Sequence, residues 1–224
     1  MKQLVIVFIA CLSLGLQAQN DVEKTVGDFK ELKVYDLIHV NLIKSDINKI
    51  TVSGNNADKV ETVNKNGTLK VRMSLDNIFN GENTKVNVYY TAIDVIDVNE
   101  GALVKSDDAV EQFEIELKAQ EGGKIDMPLK VSFVVVKSIT GGEITTSGTA
   151  KNEQINILTG GIYNGQLLES ETSKVSIHAA GEAHVKASKT VDATIRAGGD
   201  VYIYGKPETV NENKVLGGRI LRVD

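Results

Sequence analysis

From Phe29 onward the chain alternates apolar and polar residues with a period of two. Leu32 and Val34, then Ile38, Val40 and Leu42, then Ile50 and Val52 all have polar or charged neighbours, the spacing of a strand with one buried face. Asn66-Gly67, with Val63 before it and Leu69, Val71 and Met73 after it, is a two-residue hairpin signal. Val86, Val88 and Tyr90 mark a further strand, and residues 74–84 read as a loop with room for one helical turn. No stretch holds the 3.6-residue period over the length of a helix, so the pattern predicts an all-β protein.

Beyond residue 93 a longer period appears. Gly101, Gly123, Gly142, Gly161, Gly181, Gly199 and Gly218 are spaced by 22, 19, 19, 20, 18 and 19 residues, and five of them end a Gly-Gly pair. Two positions after each stands Leu103, Ile125, Ile144, Tyr163, Ala183, Val201 or Ile220, and the position between is mostly charged. A second alternating stretch precedes most of these glycines, as in Phe113-Glu114-Ile115-Glu116-Leu117 and Ile155-Asn156-Ile157. A unit of about 19 residues cannot bury its own apolar face, but stacked units can line it up into one interior. The spacing therefore predicts a parallel β-helix of seven rungs, right-handed as parallel crossovers are. Each of the seven glycines is expected to turn a corner in a left-handed backbone conformation. Rungs paired at strand spacing would make a column roughly 30 Å long.

The predicted organisation has four parts. Residues 1–18 have the layout of a secretory signal peptide: Lys2, an apolar run from Leu4 to Leu16, and Ala18 before the cut. Residues 19–28 are polar and expected to be flexible. Residues 29–92 lack the long period and are expected to form an antiparallel β-rich cap. Residues 93–224 carry the rungs, the last of which, from Gly217 to Asp224, is cut short and either blunted by its charges or free to pair with another molecule. Cys11 lies within the apolar run, and the preceding Phe8-Ile9-Ala10 does not fit the lipoprotein pattern, so cleavage after Ala18 would leave a mature chain without a thiol.

Several of these features together resemble one family. They are the leader, Phe29-Lys30-Glu31-Leu32-Lys33-Val34 with Val40-Asn41-Leu42, then Asn66-Gly67-Thr68-Leu69-Lys70-Val71, then the Gly-Gly-x-apolar rungs. In this order they resemble the head-GIN domain, the adhesin head attributed to auto-transporters, over roughly residues 29–220. The resemblance implies a β-helix-like fold and export in bacteria, with no established activity; the word adhesin reflects architecture more than demonstrated binding. The family's rung signature is often Ser-Gly, whereas Gly-Gly dominates here.

Charge and chemistry narrow the reading further. The chain of 224 residues carries a formal charge of −5. Loss of Lys2 with the leader leaves 24 basic against 30 acidic side chains, a net of −6. That balance opposes binding to phosphate backbones or anionic membranes. Nucleophilic catalysis has no visible basis: there is no Gly-x-Ser-x-Gly elbow, and His178 and His184 fall on the expected solvent parity either side of Gly181, with His39 remote in sequence. Glu111, Glu114, Glu116, Asp107 and Asp108 read as the wet face of a strand. The weak candidate for a cation site is Asp94, Asp97 and Glu100. Tyr202 and Tyr204, alternating with Val201 and Ile203, are the candidate contact surface. No cofactor is expected, and the gly-rich pairs precede no helix that could cradle a phosphate. The function these observations suggest is a non-catalytic exported scaffold or adhesin-like protein. Its partner would be a protein or glycan of the cell envelope, with self-association through the last rung as a further possibility. The alternative is a glycan-binding or glycan-cleaving β-helix with a shallow acidic site, periplasmic or on the surface.

Overall fold

The computed structural model describes residues 22–223. The expected signal peptide lies outside the described residues. The strands are β1 (Val22–Thr25), β2 (Glu31–Val34), β3 (His39–Lys44), β4 (Lys49–Gly54), β5 (Val60–Lys65), β6 (Thr68–Met73), β7 (Thr84–Tyr90), β8 (Val95–Val98) and β9 (Leu103–Lys105). They continue with β10 (Val110–Gln120), β11 (Lys124–Ile139), β12 (Glu143–Leu158), β13 (Ile162–Ile177), β14 (Glu182–Ala197), β15 (Asp200–Tyr204), β16 (Thr209–Leu216) and β17 (Arg219–Val223). All belong to one sheet wound on itself into a β-solenoid, with rungs in parallel register about 19 residues apart.

Each full rung has two arms. The first leaves a glycine corner and carries the column Val104, Ile125, Ile144, Tyr163, Ala183 and Val201, paired rung to rung. The second returns through Leu117, Val136, Ile155, Val175 and Ala193. All these side chains are buried, and a fully buried Val, Leu or Ile contributes about 1.5–3 kcal/mol. Leu103 is not in the column; it pairs with Lys124 and is half-buried, while Val104 pairs with Ile125. Gly101 aligns with the first glycine of the next corner, not the second, so the inward position falls one residue later.

The corners themselves differ from the expectation in a second way. At the turn Gln120–Gly123 the Gly123 amide donates to the Gln120 carbonyl (2.8 Å), and the two central residues, Glu121 and Gly122, have φ of 52° and 75°. Gly122, not Gly123, is thus the left-handed glycine. Gly123 is required for another reason: a Cβ there would lie 2.3 Å from the Val98 carbonyl oxygen of the preceding coil. Gly142 and Gly161 repeat this close approach, whereas Gly101, Gly181, Gly199 and Gly218 do have positive φ as expected. Successive corners are also hydrogen-bonded to each other, as from the Gly122 amide to the Thr140 carbonyl (3.3 Å).

The region 29–92 is only partly the antiparallel cap that its pattern suggested. β2 pairs in parallel with β6 on one side and β8 on the other, and β3 likewise with β7 and β9. The rung β2–β3 is therefore sandwiched between β6–β7, which follows it in sequence, and β8–β9, where the regular winding begins. Its corner, Asp36-Leu37, takes φ of 60° at both residues without any glycine. Antiparallel pairing is confined to the outer strands. β5 covers β6 through the Asn66-Gly67 hairpin, β4 covers β7, and β1 covers β4. Residues 22–25, expected to be flexible, are thus the strand β1. The predicted loop at 74–84 holds one 3-10 turn, Leu75–Asn77.

Candidate functional site

The outer faces carry the polar half of each strand, and five of their acids are matched to lysines, mostly on neighbouring rungs. Glu111 pairs with Lys130 (2.7 Å), Glu143 with Lys124 (3.0 Å), Glu169 with Lys186 (3.0 Å) and Glu171 with Lys189 (2.6 Å). Glu116 meets both Lys137 (2.6 Å) and Lys118 (3.2 Å); burial pushes its carboxyl up, but the two lysines outweigh this and hold it below the ordinary range. Such solvent-screened pairs contribute little to stability and leave the acids dispersed along the column.

Asp94, Asp97 and Glu100 are not brought together. Asp94 is exposed and pairs with Lys30 (3.3 Å). Asp97 is nearly buried and accepts hydrogen bonds from Lys33 (3.3 Å), Asn99 (3.0 Å) and Gln120 (3.0 Å), which use its lone pairs. Glu100 sits on a corner, where burial and then the neighbouring Asp36 push its carboxyl up. Among the described residues no group of three or more His, Cys, Asp or Glu is placed to hold a metal ion. The cation site suggested by these three residues therefore has no geometric basis.

Tyr202 and Tyr204 do project from the outer face of β15, both half-buried. His184, their neighbour on β14, joins them: its ring stacks on Tyr202 with centroids 4.6 Å apart and planes 7° apart. Its Nδ1 lies 2.9 Å from the Tyr204 hydroxyl and its Nε2 lies beside the Glu182 carboxylate. His184 was expected to face solvent, but these contacts leave its side chain only 16% exposed. His178, across the same corner, stands 3.3 Å from the Ser176 hydroxyl and takes no part in the cluster. On β17, Arg219 grips Asp200 with two hydrogen bonds, which holds the Asp200 carboxyl below its usual range. The result is a compact, ordered polar–aromatic patch near the open end. Both ring nitrogens of His184 are occupied, by Tyr204 and Glu182, and no serine, threonine or cysteine is among its hydrogen-bond partners.

Two features escaped the sequence pattern. Alternation with Ile115 and Leu117 puts Phe113 in an inward position, yet it is 74% exposed. It stands at the bend between the two arms, where the pairing between β10 and β11 skips from Gln112 to Glu114, and parity is not carried through a bend. It borders a groove of 460 Å³ that shares Asp94 and Val95 with a larger one of 630 Å³ lined by Phe29, Lys30, Asn66 and Thr91. The second feature is inside the column. Glu153 pairs with Val134 and Ser173, in an inward position, and is 2% exposed. Its carboxyl accepts hydrogen bonds from Tyr163 (2.8 Å) and Ser173 (2.8 Å), and Thr146 stands 2.9 Å from the same tyrosine hydroxyl. Burial pushes the Glu153 carboxyl up despite these partners, and burial together with Glu153 pushes the Tyr163 phenol well up. The signal was present, because Glu153 shares the parity of Ile155 and Ile157.

No helix among the described residues is long and apolar enough to cross a membrane. No curated protein matches the chain in sequence. Its fold is similar to that of a "putative adhesin" from Bacteroides fragilis, with a TM-score of 0.84 at 16% identity, covering 92% of this chain and 98% of that one. A "putative lipid binding protein" from Parabacteroides distasonis (TM-score 0.67, 18% identity, 94% and 98% covered) is also similar. So is a "putative adhesin" from Parabacteroides merdae (0.67, 17%, 94% and 98%). At these identities the likeness is one of fold. The family model described as "Putative auto-transporter adhesin, head GIN domain" matches residues 28–207, from just before β2 to the loop after β15. The chain, with its glycine-cornered rungs and covered first coil, belongs to that head GIN domain family.

Proposed function

We propose that this protein is a non-catalytic, exported, adhesin-like scaffold of the bacterial envelope that binds a protein or glycan through its outer surface. The observation that carries the reading is the dispersal of the outer-face acids along the column, five of them matched to lysines. Hydrolysis of a glycosidic bond needs two carboxyls facing one scissile bond across a cleft, and Glu111, Glu116, Glu143, Glu169 and Glu171 face their own lysines instead. The family's description as an adhesin head supports the same reading, and with it export.

The contact point is the groove beside Phe113, where an exposed aromatic ring flanks a concave surface, the usual form of a binding hot spot. The tyrosine patch is the weaker platform, because one face of Tyr202 is already covered by His184. The test is a glycan-array and envelope-extract pull-down with the purified protein, Phe113→Ala, and the double variant Tyr202→Ala/Tyr204→Ala. Binding without product release, lost in Phe113→Ala, supports the proposal. Binding lost only in the tyrosine variant moves the contact to β15, and release of product from a polysaccharide overturns the non-catalytic reading.

A further inference from the structure

We infer that the open end of the column is a self-complementary surface that pairs with a second copy of this chain, strand β16 against β16 and β17 against β17, both antiparallel. The inference is independent of the ligand bound on the outer face.

Past β14 and β15 the inward columns continue onto β16 and β17, whose outer edges pair with no further strand among the described residues. Val210, Glu212 and Lys214 stand in the columns of Val191, Ala193 and Ile195, and Leu216 follows Ala197. Ile220 and Arg222 stand in the columns of Val201 and Ile203. One arginine and one glutamate side chain meet across the core, Arg222 to Glu212 at 3.1 Å. Inward charges on a terminal strand ordinarily prevent edge-to-edge pairing. Here their order makes them complementary. The alternating residues of β16 read apolar, acidic, basic, apolar, the last of them at the exposed corner position that follows Ala197. A second copy turned about a twofold axis through Asn213 runs the opposite way. It sets Val210 against the second copy's Leu216, and Glu212 against the second copy's Lys214.

The same axis serves the other arm. The Arg222–Glu212 contact places those residues opposite each other, and therefore Leu221 opposite Asn213. A twofold axis crossing both arms through Asn213 and Leu221 keeps each arm in its own layer and reverses its direction. β17 then pairs with its copy about Leu221, an exposed outward apolar residue that would meet itself, while Val215 and Leu216, now 65% and 70% exposed, gain cover. Head-to-tail stacking has no such route, because β1, β4 and β5 cover the far end with antiparallel strands. Closed twofold symmetry is the outcome such an isologous surface allows.

The test is sedimentation equilibrium of the purified protein across a concentration series. The wild type is expected to be a reversible dimer. Lys214→Glu places acid against acid twice and Glu212→Lys places base against base twice, so each alone should weaken dimerisation by roughly tenfold or more. An equimolar mixture of the two restores opposite charges at both contacts and should dimerise as heterodimers. Circular dichroism and thermal melting confirm that both variants fold. As a second measurement, Asn213→Cys, on the axis, should form a disulfide-linked dimer under oxidation, and Asn211→Cys, off it, should not. A wild type that stays monomeric throughout, variants that dimerise as well as the wild type, or a mixture that fails to recover the dimer would each overturn the inference.

Discussion

The two ends of the column are built from the same kind of rung and finished in opposite ways. At the first end the chain lays β2 and β3 down, leaves through β4 and β5, adds β6 and β7 outside them, and only then returns as β8 and β9 to begin the regular winding. The antiparallel strands cover the outermost parallel rung, and the core beneath it stays dry: Leu32, Leu69, Val71, Val86 and Val88 are all 0% exposed. At the other end the winding simply stops among the described residues. β16 and β17 keep the register of the rungs above them, but all but one of the side chains of β16 are exposed and charges occupy inward positions. Parallel winding thus propagates a core without being able to end it; ending it takes either a change of strand direction or a change of residue type.

This contrast can be tested by placing the same substitution in the middle of the column and at its last corner. Gly142→Ala should have the largest effect, because the new Cβ would lie 2.1 Å from the Ala119 carbonyl oxygen with rungs packed on both sides. We expect a loss of about 3 kcal/mol or more in urea denaturation. Gly218→Ala meets the Gly199 carbonyl at 2.7 Å, but its corner is bounded by one rung only and can move. It should cost about 1–2 kcal/mol, the strain of a left-handed alanine. Equal losses at the two positions would show that the last corner is as firmly held as the middle ones.

A core truncation should sharpen the comparison at intermediate size. Ile96→Ala, fully buried on β8, is expected to cost about 2–5 kcal/mol, and Ile220→Ala, half-buried on β17, about 1 kcal/mol or less. If Ile220→Ala instead costs more as protein concentration rises, the open end is closed by a second copy, as inferred above.

The smallest effect concerns charge inside the column. Glu153 is buried mid-column, where Glu212 is partly solvated. Because burial raises the Glu153 carboxyl in the folded state, the native protein holds that proton more tightly than the unfolded chain does. The stability it contributes is therefore complete below the ordinary carboxylate range and is lost as pH rises through the raised value. Glu153→Gln should flatten this decline, leaving the variant closer to, or above, the wild type at alkaline pH by about 1 kcal/mol. Thermal melts of both proteins across pH measure it, and parallel profiles would count against a buried ionising group at that site.

How much of this was legible beforehand depends on whether a property is local. Alternation marks strand faces wherever the backbone is straight, so Ile125, Ile144, Val201 and most of the core could be named from their spacing. It failed at Phe113 because a bend resets parity, and at Leu103 because the first corner is one residue out of step with the rest. The corner glycines could be found by their period but not told apart: Gly122 is needed for its own φ, whereas Gly123 is needed because another coil's carbonyl lies against it. The tyrosines of β15 were assigned to the correct face. Alternation puts His184 on that outer face too, but gives no sign that it touches them, since it is one rung away in space and 18 residues away from Tyr202 in sequence.

The amino-acid sequence by itself determined that short extended segments, bent at regular glycines, must stack over a shared apolar interior, because period-two burial and corner conformation are properties of residues and their near neighbours. Only the tertiary structure decided which rung lies against which. The insertion of β2–β3 between β6–β7 and β8–β9, the glycine-free corner at Asp36-Leu37, and the carboxyl of Glu153 held among hydroxyls all depend on contacts between residues distant in the chain. Parallel strands offer their neighbours the same hydrogen-bonding edge whatever their order, so that order is chosen by how side chains fit across the core.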